Sequence, residues 1–180
     1  MQTTCSLLDD DIYGRRGNDY LYGSSGNDRL YGGAGDDFLF GDDGDDILYG
    51  ASYTTGDDAG TLRGDAGFDT LRMDYGHTNA WLQFGQGYDT LKFFEEDTDM
   101  LFIDLSEFGL GGSLESSEIT NSNSVTAVGT NAQFIYEDDT GFLWFDQNGS
   151  NAGGLTLIAE FDSSTVKDNN LGVNDFEFQV

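Results

Sequence analysis

Large apolar residues recur every nine positions in the first half of the chain. In four consecutive units, leucine holds the eighth position and an aromatic residue the ninth, while glycine holds the first and fourth and aspartate the sixth. The units cover residues 14–22, 23–31, 32–40 and 41–49 without gaps. This period matches neither the 3.6 of a helix nor the 2 of a strand, so it indicates an internal repeat.

Weaker copies flank the four units. A degenerate copy with Asp10 at the sixth position precedes them, and residues 50–63 break the register because they are five residues longer than one unit. The register resumes at residues 64–72, and a last echo lies at residues 85–91. The repeat therefore extends over roughly the first half of the chain, with one insertion.

Nine residues divide into a six-residue turn and a three-residue strand, and glycine supplies the positive φ that such a turn requires. Two units make one coil of eighteen residues, and coils stack at the parallel-strand spacing of roughly 4.8 Å. Leu21, Leu30, Leu39 and Leu48 then alternate between two walls and point into a thin interior. The pattern predicts an all-β protein that contains a parallel β-roll.

Stacked coils place Asp19 above Asp37 and Asp28 above Asp46. Carboxylates a few ångström apart repel each other, so each column of aspartates needs a cation between its members. The cation must accept hard oxygen ligands, including backbone carbonyls, and calcium does so more readily than magnesium, which retains its waters. Zinc prefers nitrogen and sulfur ligands, and the chain has one histidine and one cysteine.

Acidic residues greatly outnumber basic ones, and the type of acidic residue changes along the chain. Thirty-four acidic residues against seven basic ones give a formal net charge of -27, which argues against nucleic-acid partners and anionic membrane surfaces. All sixteen acidic residues of the first 74 positions are aspartates, and the first glutamate is Glu95. Aspartate suits tight turns because its short side chain reaches nearby backbone and cations. No apolar run approaches the ~20 residues that span a bilayer.

The four units resemble the G-G-x-G-x-D-x-U-x nonapeptide of RTX (hemolysin-type) proteins, which bind several calcium ions in a parallel β-roll. In that family each ion lies between stacked loops and takes backbone carbonyls from the first four positions and the aspartate at the sixth. The resemblance implies carboxylate ligands at Asp19, Asp28, Asp37 and Asp46, with Asp10, Asp69 and, at the insertion, Asp57 or Asp58 as further candidates. It implies carbonyl ligands at Gly14, Arg16, Gly17, Gly23, Ser25, Gly26, Gly32, Ala34, Gly35, Gly41, Asp43 and Gly44.

The second half has a different pattern. Apolar and polar residues alternate at residues 133–136, 142–145 and 155–159, and turn-forming residues at 138–141 and 148–150 separate these runs. This pattern predicts an antiparallel meander of short strands, which we interpret as a β-rich C-terminal cap on the roll.

This half is also similar to known exoproteins. Residues 96–106 resemble the "DKIDLS" stretch that follows the repeats of serralysin-type proteases and alginate epimerase modules. Residues 171–180 resemble a C-terminal type I secretion signal, and the N-terminus has neither the basic nor the apolar region of a secretory signal peptide. We therefore expect an N-terminal cap at 1–13, a calcium-binding roll at 14–92 and a cap with the secretion signal at 93–180.

Catalytic motifs are missing from the sequence. His77 is the only histidine, so an H-E-x-x-H zinc site is impossible, and no G-x-S-x-G elbow occurs. We interpret His77 as a surface turn residue and Cys5 as incidental. Paired carboxylates for glycoside hydrolysis are not excluded by any motif. We expect no catalytic activity from this chain itself, although it can be a module of a larger enzyme.

Outward-facing aromatic residues offer a binding surface. If the leucines at position eight point inward, positions seven and nine point out, and these rings recognise a glycan or a neighbouring domain or else pack on the cap. One wall carries Tyr20, Tyr22, Phe38 and Phe40, and the other carries Tyr31 and Tyr49.

These features favour one function over two alternatives. The sequence predicts a bacterial extracellular module that folds when calcium binds, after export by a type I secretion machinery from a cytoplasm poor in calcium. The alternatives are the C-terminal module of a secreted metalloprotease or alginate epimerase, and a glycan-binding adhesion module.

Overall fold

A computed structural model describes residues 2–4, 7–51, 59–74, 76–85, 87–95, 98–104, 108, 119–122, 133–137, 140–147, 154–162, 171 and 175–179. These residues form an all-β structure in which two sheets face each other across a thin apolar interior. The predicted fold class, a parallel β-roll followed by a β-rich cap, is confirmed. Within the described ranges, no helix has the length and apolar character needed to cross a membrane.

The first sheet takes every second strand of the roll. Its strands are all parallel, and the inward-facing residue of each strand pairs with its equivalent one coil away, as Leu21 does with Leu39 and Leu62 with Ala80. The order is β1 (Gln2–Thr4), β3 (Tyr20–Ser25), β5 (Asp37–Asp43), β7 (Ala59–Ala66), β9 (His77–Leu82), β11 (Met100–Asp104) and β16 (Phe176–Gln179).

The second sheet begins with the remaining strands of the roll and continues into the cap. Its parallel part runs β2 (Asp11–Arg16), β4 (Arg29–Ala34), β6 (Ile47–Ala51), β8 (Thr70–Arg72) and β10 (Asp89–Lys92). It is followed by β15 (Leu155–Phe161), β14 (Phe142–Asp146), β13 (Gln133–Glu137) and β12 (Ile119–Ser122).

The interior of the roll is a single layer of aliphatic side chains. Each strand contributes its eighth-position residue, and full burial of a leucine stabilises the fold by about 1.5–3 kcal/mol relative to exposure. All these residues are at most 3% exposed, and they include the four leucines that were predicted to point inward: Ile12, Leu21, Leu30, Leu39, Leu48, Leu62, Leu71, Ala80, Leu91 and Leu101.

The insertion leaves the stacking intact. Leu62 of β7 pairs with Leu39 of β5, so the longer unit keeps its apolar residue in phase. The residue opposite Asp37 in this register is Gly60. Asp57 and Asp58, the predicted substitutes at this level, lie outside the described residues.

The cap has the predicted antiparallel meander. Strand β13 pairs with β14 and β14 with β15, both antiparallel, while β15 also pairs parallel with β10 of the roll. Phe134 and Phe145 of the meander are fully buried, whereas Phe142 and Trp144 are only partly buried. Thr140 and Gly141 donate backbone hydrogen bonds to the carbonyl of Glu137 and form part of the first predicted turn. The second predicted turn, at 148–150, lies outside the described residues.

Three local features differ from the sequence interpretation or extend it. His77 is exposed as expected, but it begins strand β9 rather than occupying a turn. Parallel pairing with the roll also continues beyond residue 92, because β11 pairs with β9 and β16 pairs with β11. The outward-facing rings stack on the equivalent rings of neighbouring coils, as Tyr20 does on Phe38.

Candidate calcium sites

Five aspartates form a continuous column beside the second sheet. The backbone N–H of Asp10 donates to Oδ1 of Asp28, that of Asp28 to Asp46, and that of Asp46 to Asp69, each at 2.7 Å. The N–H of Asp69 donates in turn to Oδ1 of Asp89 at 3.2 Å. The last four carboxylates are buried, between 1% and 7% exposed. The sixth position of each unit therefore links its coil to the next.

The column beside the first sheet is shorter. The N–H of Asp19 donates to Oδ1 of Asp37 at 2.9 Å, and both residues are buried. The following levels carry Gly60 and Thr78 in place of an aspartate. The carboxylate of Asp99 accepts the N–H groups of Thr78 and Glu95 at 2.9 and 2.8 Å. The two sides of the roll thus offer different numbers of carboxylates.

The second oxygen of the column aspartates is positioned for a cation. The Oδ2 atoms of Asp28, Asp46 and Asp69 are buried and accept no hydrogen bond. A Cβ built on Gly23 would lie 2.5 Å from Oδ2 of Asp28 and 2.6 Å from the carbonyl oxygen of Gly41 in the next coil. Two oxygens from consecutive coils therefore converge on the space that the missing side chain leaves open.

This convergence repeats along both columns. In each of the four consecutive units the glycine of position one faces the sixth-position Oδ2 of its own unit and the position-one carbonyl of the coil that follows. The triplets are Gly14, Asp19 and Gly32; Gly23, Asp28 and Gly41; Gly32, Asp37 and Gly50; and Gly41, Asp46 and Gly64.

The third position ends the strand in each unit. Arg16, Ser25, Ala34 and Asp43 are the last residues of β2 to β5. The carbonyl oxygens of Ala34 and Asp43 accept the N–H groups of Gly17 and Gly26, at 2.8 and 3.0 Å. Because a carbonyl oxygen has two lone pairs, each retains one for a further ligand.

All four fourth-position glycines are required by their conformation, and all except Gly17 are also required by space. Gly17, Gly26, Gly35 and Gly44 all have φ between +97° and +141°. A Cβ on Gly35 would lie 2.7 Å from the carbonyl oxygen of Gly17, one coil away. At Gly26, Gly35 and Gly44 the backbones of consecutive turns therefore approach too closely for any side chain, and this closeness brings their carbonyls together.

Burial makes the carboxylates difficult to ionise without a cation. It raises the pKa of Asp46 to about 7 and that of Asp69 to about 6, and neighbouring carboxylates add to the shift at Asp46. Burial also raises the pKa of Asp28, and it raises that of Asp89 well above the usual range together with the charge of Asp69. A divalent cation at the column would favour the ionised form of each group.

The donor set fits calcium. Within the described part of the chain, no three carboxylate, imidazole or thiol side chains gather around one point. The turns instead bring one carboxylate oxygen per unit together with backbone carbonyls of two coils. All-oxygen sets of this kind, which include main-chain carbonyls, are typical of calcium sites.

Sequence reasoning missed one member of the column. Asp89 is not among the predicted ligands, yet its Oδ1 accepts from Asp69 as in the earlier units. The signal was present, because Asp89 and Leu91 are in phase in the last echo of the repeat. Among the predicted ligands, Asp58 lies outside the described residues.

A second ladder at position five was also missed. The N–H of Asp45 donates to Oδ1 of Asn27 at 3.1 Å, and the N–H of Asn27 donates to Oδ1 of Asp9 at 2.9 Å. On the other side, the N–H of Asp36 donates to Oδ1 of Asn18 at 3.2 Å. Asparagine or aspartate at this position in all four units was the available signal. These exposed side chains hold consecutive turns together outside the columns.

Comparison with known proteins gives one family match. The model for the RTX calcium-binding nonapeptide repeat, four copies long, matches residues 8–39 and 22–52. No curated protein matches the chain. Sixteen chains of solved structures match. One is the solution structure of the AlgE6R3 subunit of the Azotobacter vinelandii mannuronan C5-epimerase, with 19% identity, 96% of this chain and 80% of that chain covered, and a TM-score of 0.42. The family model assigns residues 8–52 of this chain to RTX calcium-binding nonapeptide repeats, and in the structure these residues form successive coils of a parallel β-roll.

Proposed function

We propose that calcium binding between the stacked turns drives the folding of this chain as a module of a secreted protein. The observation that carries the proposal is the set of buried Oδ2 atoms, at Asp28, Asp46 and Asp69, that accept no hydrogen bond. Leaving such groups buried and charged is costly unless a cation pairs with them. The folded roll therefore needs the ion, and the free energy of ion binding becomes free energy of folding.

The proposed ligands follow the two columns. Each ion takes Oδ2 of a sixth-position aspartate and backbone carbonyls from the turns of two coils. The carboxylates are Asp10, Asp19, Asp28, Asp37, Asp46 and Asp69, to which we add Asp89, and the carbonyls are those of the first, third and fourth positions of the four units.

The negative charge of the chain opposes folding in the absence of calcium. A chain with a net charge of -27 repels itself when unfolded and more strongly when compact, so it resists folding where calcium is scarce. Each bound calcium ion cancels two of these charges. The RTX repeat family is typically extracellular in bacteria, which is where calcium is abundant. Export as an unfolded chain, followed by folding outside the cell, is consistent with both facts.

Type I secretion forms part of the proposal through residues 171–180. In the full chain we expect removal of the last ten residues to abolish export by a co-expressed type I machinery. The calcium response of the purified truncated protein tests separately whether the roll still folds, so an export defect is not confused with misfolding.

An enzyme context is a second candidate for the parent protein. An RTX repeat array is non-catalytic in itself, so activity would come from another domain of a longer chain. The resemblance of residues 96–106 to serralysin-type and alginate epimerase modules supports this context. A parent sequence with H-E-x-x-H or an epimerase domain would decide it.

Glycan recognition by the aromatic walls has less support. Tyr20 stacks on Phe38 and Tyr22 on Phe40, with ring centroids 4.8 Å apart. Sugar rings pack on the faces of aromatic side chains, and stacking covers the facing sides of these rings. The pairs therefore present mainly ring edges to solvent.

Circular dichroism with and without calcium tests the main proposal. We expect a β-sheet spectrum in millimolar calcium and a disordered spectrum in EDTA, with magnesium failing to replace calcium because it dehydrates reluctantly. The Asp37→Ala variant should need more calcium than the parent chain. A chain that folds equally well in EDTA would overturn the proposal.

A further inference from the structure

Three tyrosines form a continuous stack on the outer face of the second sheet. Tyr13, Tyr31 and Tyr49 hold the ninth position of three consecutive coils and pair in register across β2, β4 and β6. The ring centroids of Tyr13 and Tyr31 are 4.7 Å apart with planes 3° from parallel, and those of Tyr31 and Tyr49 are 4.5 Å apart at 15°. The register places equivalent atoms of each ring above one another.

The hydroxyl groups of this stack also lie together. Burial raises the pKa of the Tyr31 hydroxyl, and the neighbouring hydroxyls of Tyr49 and Tyr13 add to the shift, while the Tyr49 hydroxyl interacts with the guanidinium of Arg72. The carbon at the centre of that guanidinium lies 4.9 Å from the Tyr49 ring centroid and closes one end of the stack. The other end is open, because Tyr13 is 53% exposed. A small oxidant can therefore reach the stack from solvent.

Among the described ring contacts, only this column stacks tyrosine on tyrosine. The other tyrosines of the roll with a parallel partner are Tyr20, which stacks on Phe38, and Tyr22, which stacks on Phe40. A phenylalanine ring has no phenolic hydrogen to lose and cannot become a phenoxyl radical. Within the described residues, the two tyrosine–phenylalanine stacks therefore serve as controls for the tyrosine stack, since they have the same fold and a similar ring spacing.

We propose that Tyr13, Tyr31 and Tyr49 are an oxidative cross-linking site at which neighbouring coils of the roll become covalently joined as dityrosine. A peroxidase with hydrogen peroxide, or another one-electron oxidant, removes one electron and one proton from each of two phenols. The two radicals couple through their ortho carbons, and the ring hydrogens move to the oxygens to restore both phenols. Hydrogen peroxide takes up the two electrons and two protons and yields two waters.

The cross-link has a direct structural consequence. Tyr13 and Tyr31, like Tyr31 and Tyr49, are eighteen residues apart, so one bond fixes one coil on the next. The bond reduces the conformational entropy of the unfolded chain in the same manner as a disulfide. The roll is then held together by a covalent bond that chelation of calcium does not remove. The inference rests on the fold of residues 11–51 and not on calcium-dependent folding.

The test uses the full chain in saturating calcium with horseradish peroxidase and hydrogen peroxide. We expect dityrosine fluorescence in monomeric protein, a mass lower by two hydrogens per cross-link, and peptides joined between Tyr13 and Tyr31 or between Tyr31 and Tyr49. Tyr31→Phe keeps the stack but removes both couplings, so the intramolecular signal should be lost. Tyr20→Phe removes an exposed tyrosine that stacks on a phenylalanine instead of a tyrosine, and it should leave the signal unchanged.

The outcomes separate this proposal from calcium-dependent folding. Equal intramolecular yield in Tyr31→Phe and the parent chain, or cross-links only between molecules or at other tyrosines, would overturn the cross-linking site. Loss of the signal in EDTA supports calcium-dependent folding, whereas the same signal in EDTA and calcium contradicts calcium-dependent folding but leaves the tyrosine assignment standing. Circular dichroism of each variant shows whether it is folded before oxidation.

Discussion

The backbone N–H of Asp28 donates to Oδ1 of Asp46, one coil away, at 2.7 Å. The other oxygen of Asp46 lies beside Gly41 and the carbonyl of Gly64 and accepts no hydrogen bond. One side chain thus holds the register of two coils and presents its second oxygen to the proposed calcium site. Asparagine can perform only the first task, because its second polar atom is an amide nitrogen that a cation repels.

Asp46→Asn should therefore weaken calcium binding without losing the contact between coils. An interaction with a charged group typically contributes about 1.5–3 kcal/mol of free energy. We therefore expect the calcium concentration at the folding midpoint to be clearly higher in this variant. The measurement is a calcium titration followed by circular dichroism.

Asp45→Asn is the matched control for this change. Asp45 is exposed, and its Oδ1 accepts the N–H of Phe68 at 3.0 Å, which an asparagine oxygen can also do. Both variants remove one negative charge, but only Asp46 faces the proposed ion. Equal calcium midpoints for the two variants would contradict the assignment of Asp46 as a ligand.

Gly44→Ala and Gly17→Ala should differ strongly in stability. Both glycines hold the fourth position with φ of +141° and +97°. A Cβ on Gly44 would collide with the carbonyl oxygen of Gly26, whereas a Cβ on Gly17 meets nothing within 4 Å. Gly17→Ala should lose about 1–2 kcal/mol of unfolding free energy, the cost of a left-handed backbone. Gly44→Ala should lose considerably more, and urea unfolding in saturating calcium measures both.

Much of the roll was predictable because each of its layers has its own residue type. Leucine, aspartate and glycine each return with the period of the coil, so a one-dimensional pattern specifies which residues stack. The same phase points to Asp89, although its unit has Phe84 where the four consecutive units have glycine. The aspartate and leucine positions therefore identify the members of a column more reliably than a complete motif does.

The backbone of the second position could not be predicted from the sequence. Ser24, Asp42 and Asp65 adopt φ of +89°, +70° and +69° there, although nothing in these side chains demands it. The stacking of coils imposes this conformation. In one unit the second position is held by Gly33, with φ of +107°, and glycine is the residue type that suits a positive φ. Tertiary context overrides local preference at these residues.

Ser24→Gly should therefore stabilise the folded chain. Relief of the left-handed backbone is worth about 1–2 kcal/mol, reduced by the greater freedom of glycine in the unfolded state. Ser25→Gly is the control, since Ser25 is not among the residues with positive φ and the change brings only the entropic loss. Urea unfolding in calcium should show gains for Ser24→Gly and losses for Ser25→Gly, and the opposite order would contradict the argument.

The pH dependence of the calcium-free chain follows from the buried carboxylates. Burial raises the pKa of Asp46 to about 7 and that of Asp99 to about 7, both from 3.8. A raised pKa in the folded state means that the folded chain binds protons more tightly than the unfolded chain. The resulting contribution to the free energy of unfolding is full below about pH 4 and is lost as the pH rises through 7. In EDTA, the β-sheet signal should increase as the pH falls from 8 to 5.

Saturating calcium should keep the chain folded over the same range, because the ion takes the place of the proton at Asp46. In Asp46→Asn this group no longer titrates, so the pH response in EDTA should be smaller than in Asp45→Asn. A β-sheet signal in EDTA that is constant or decreases on acidification would show that the carboxylates are not buried as the column requires.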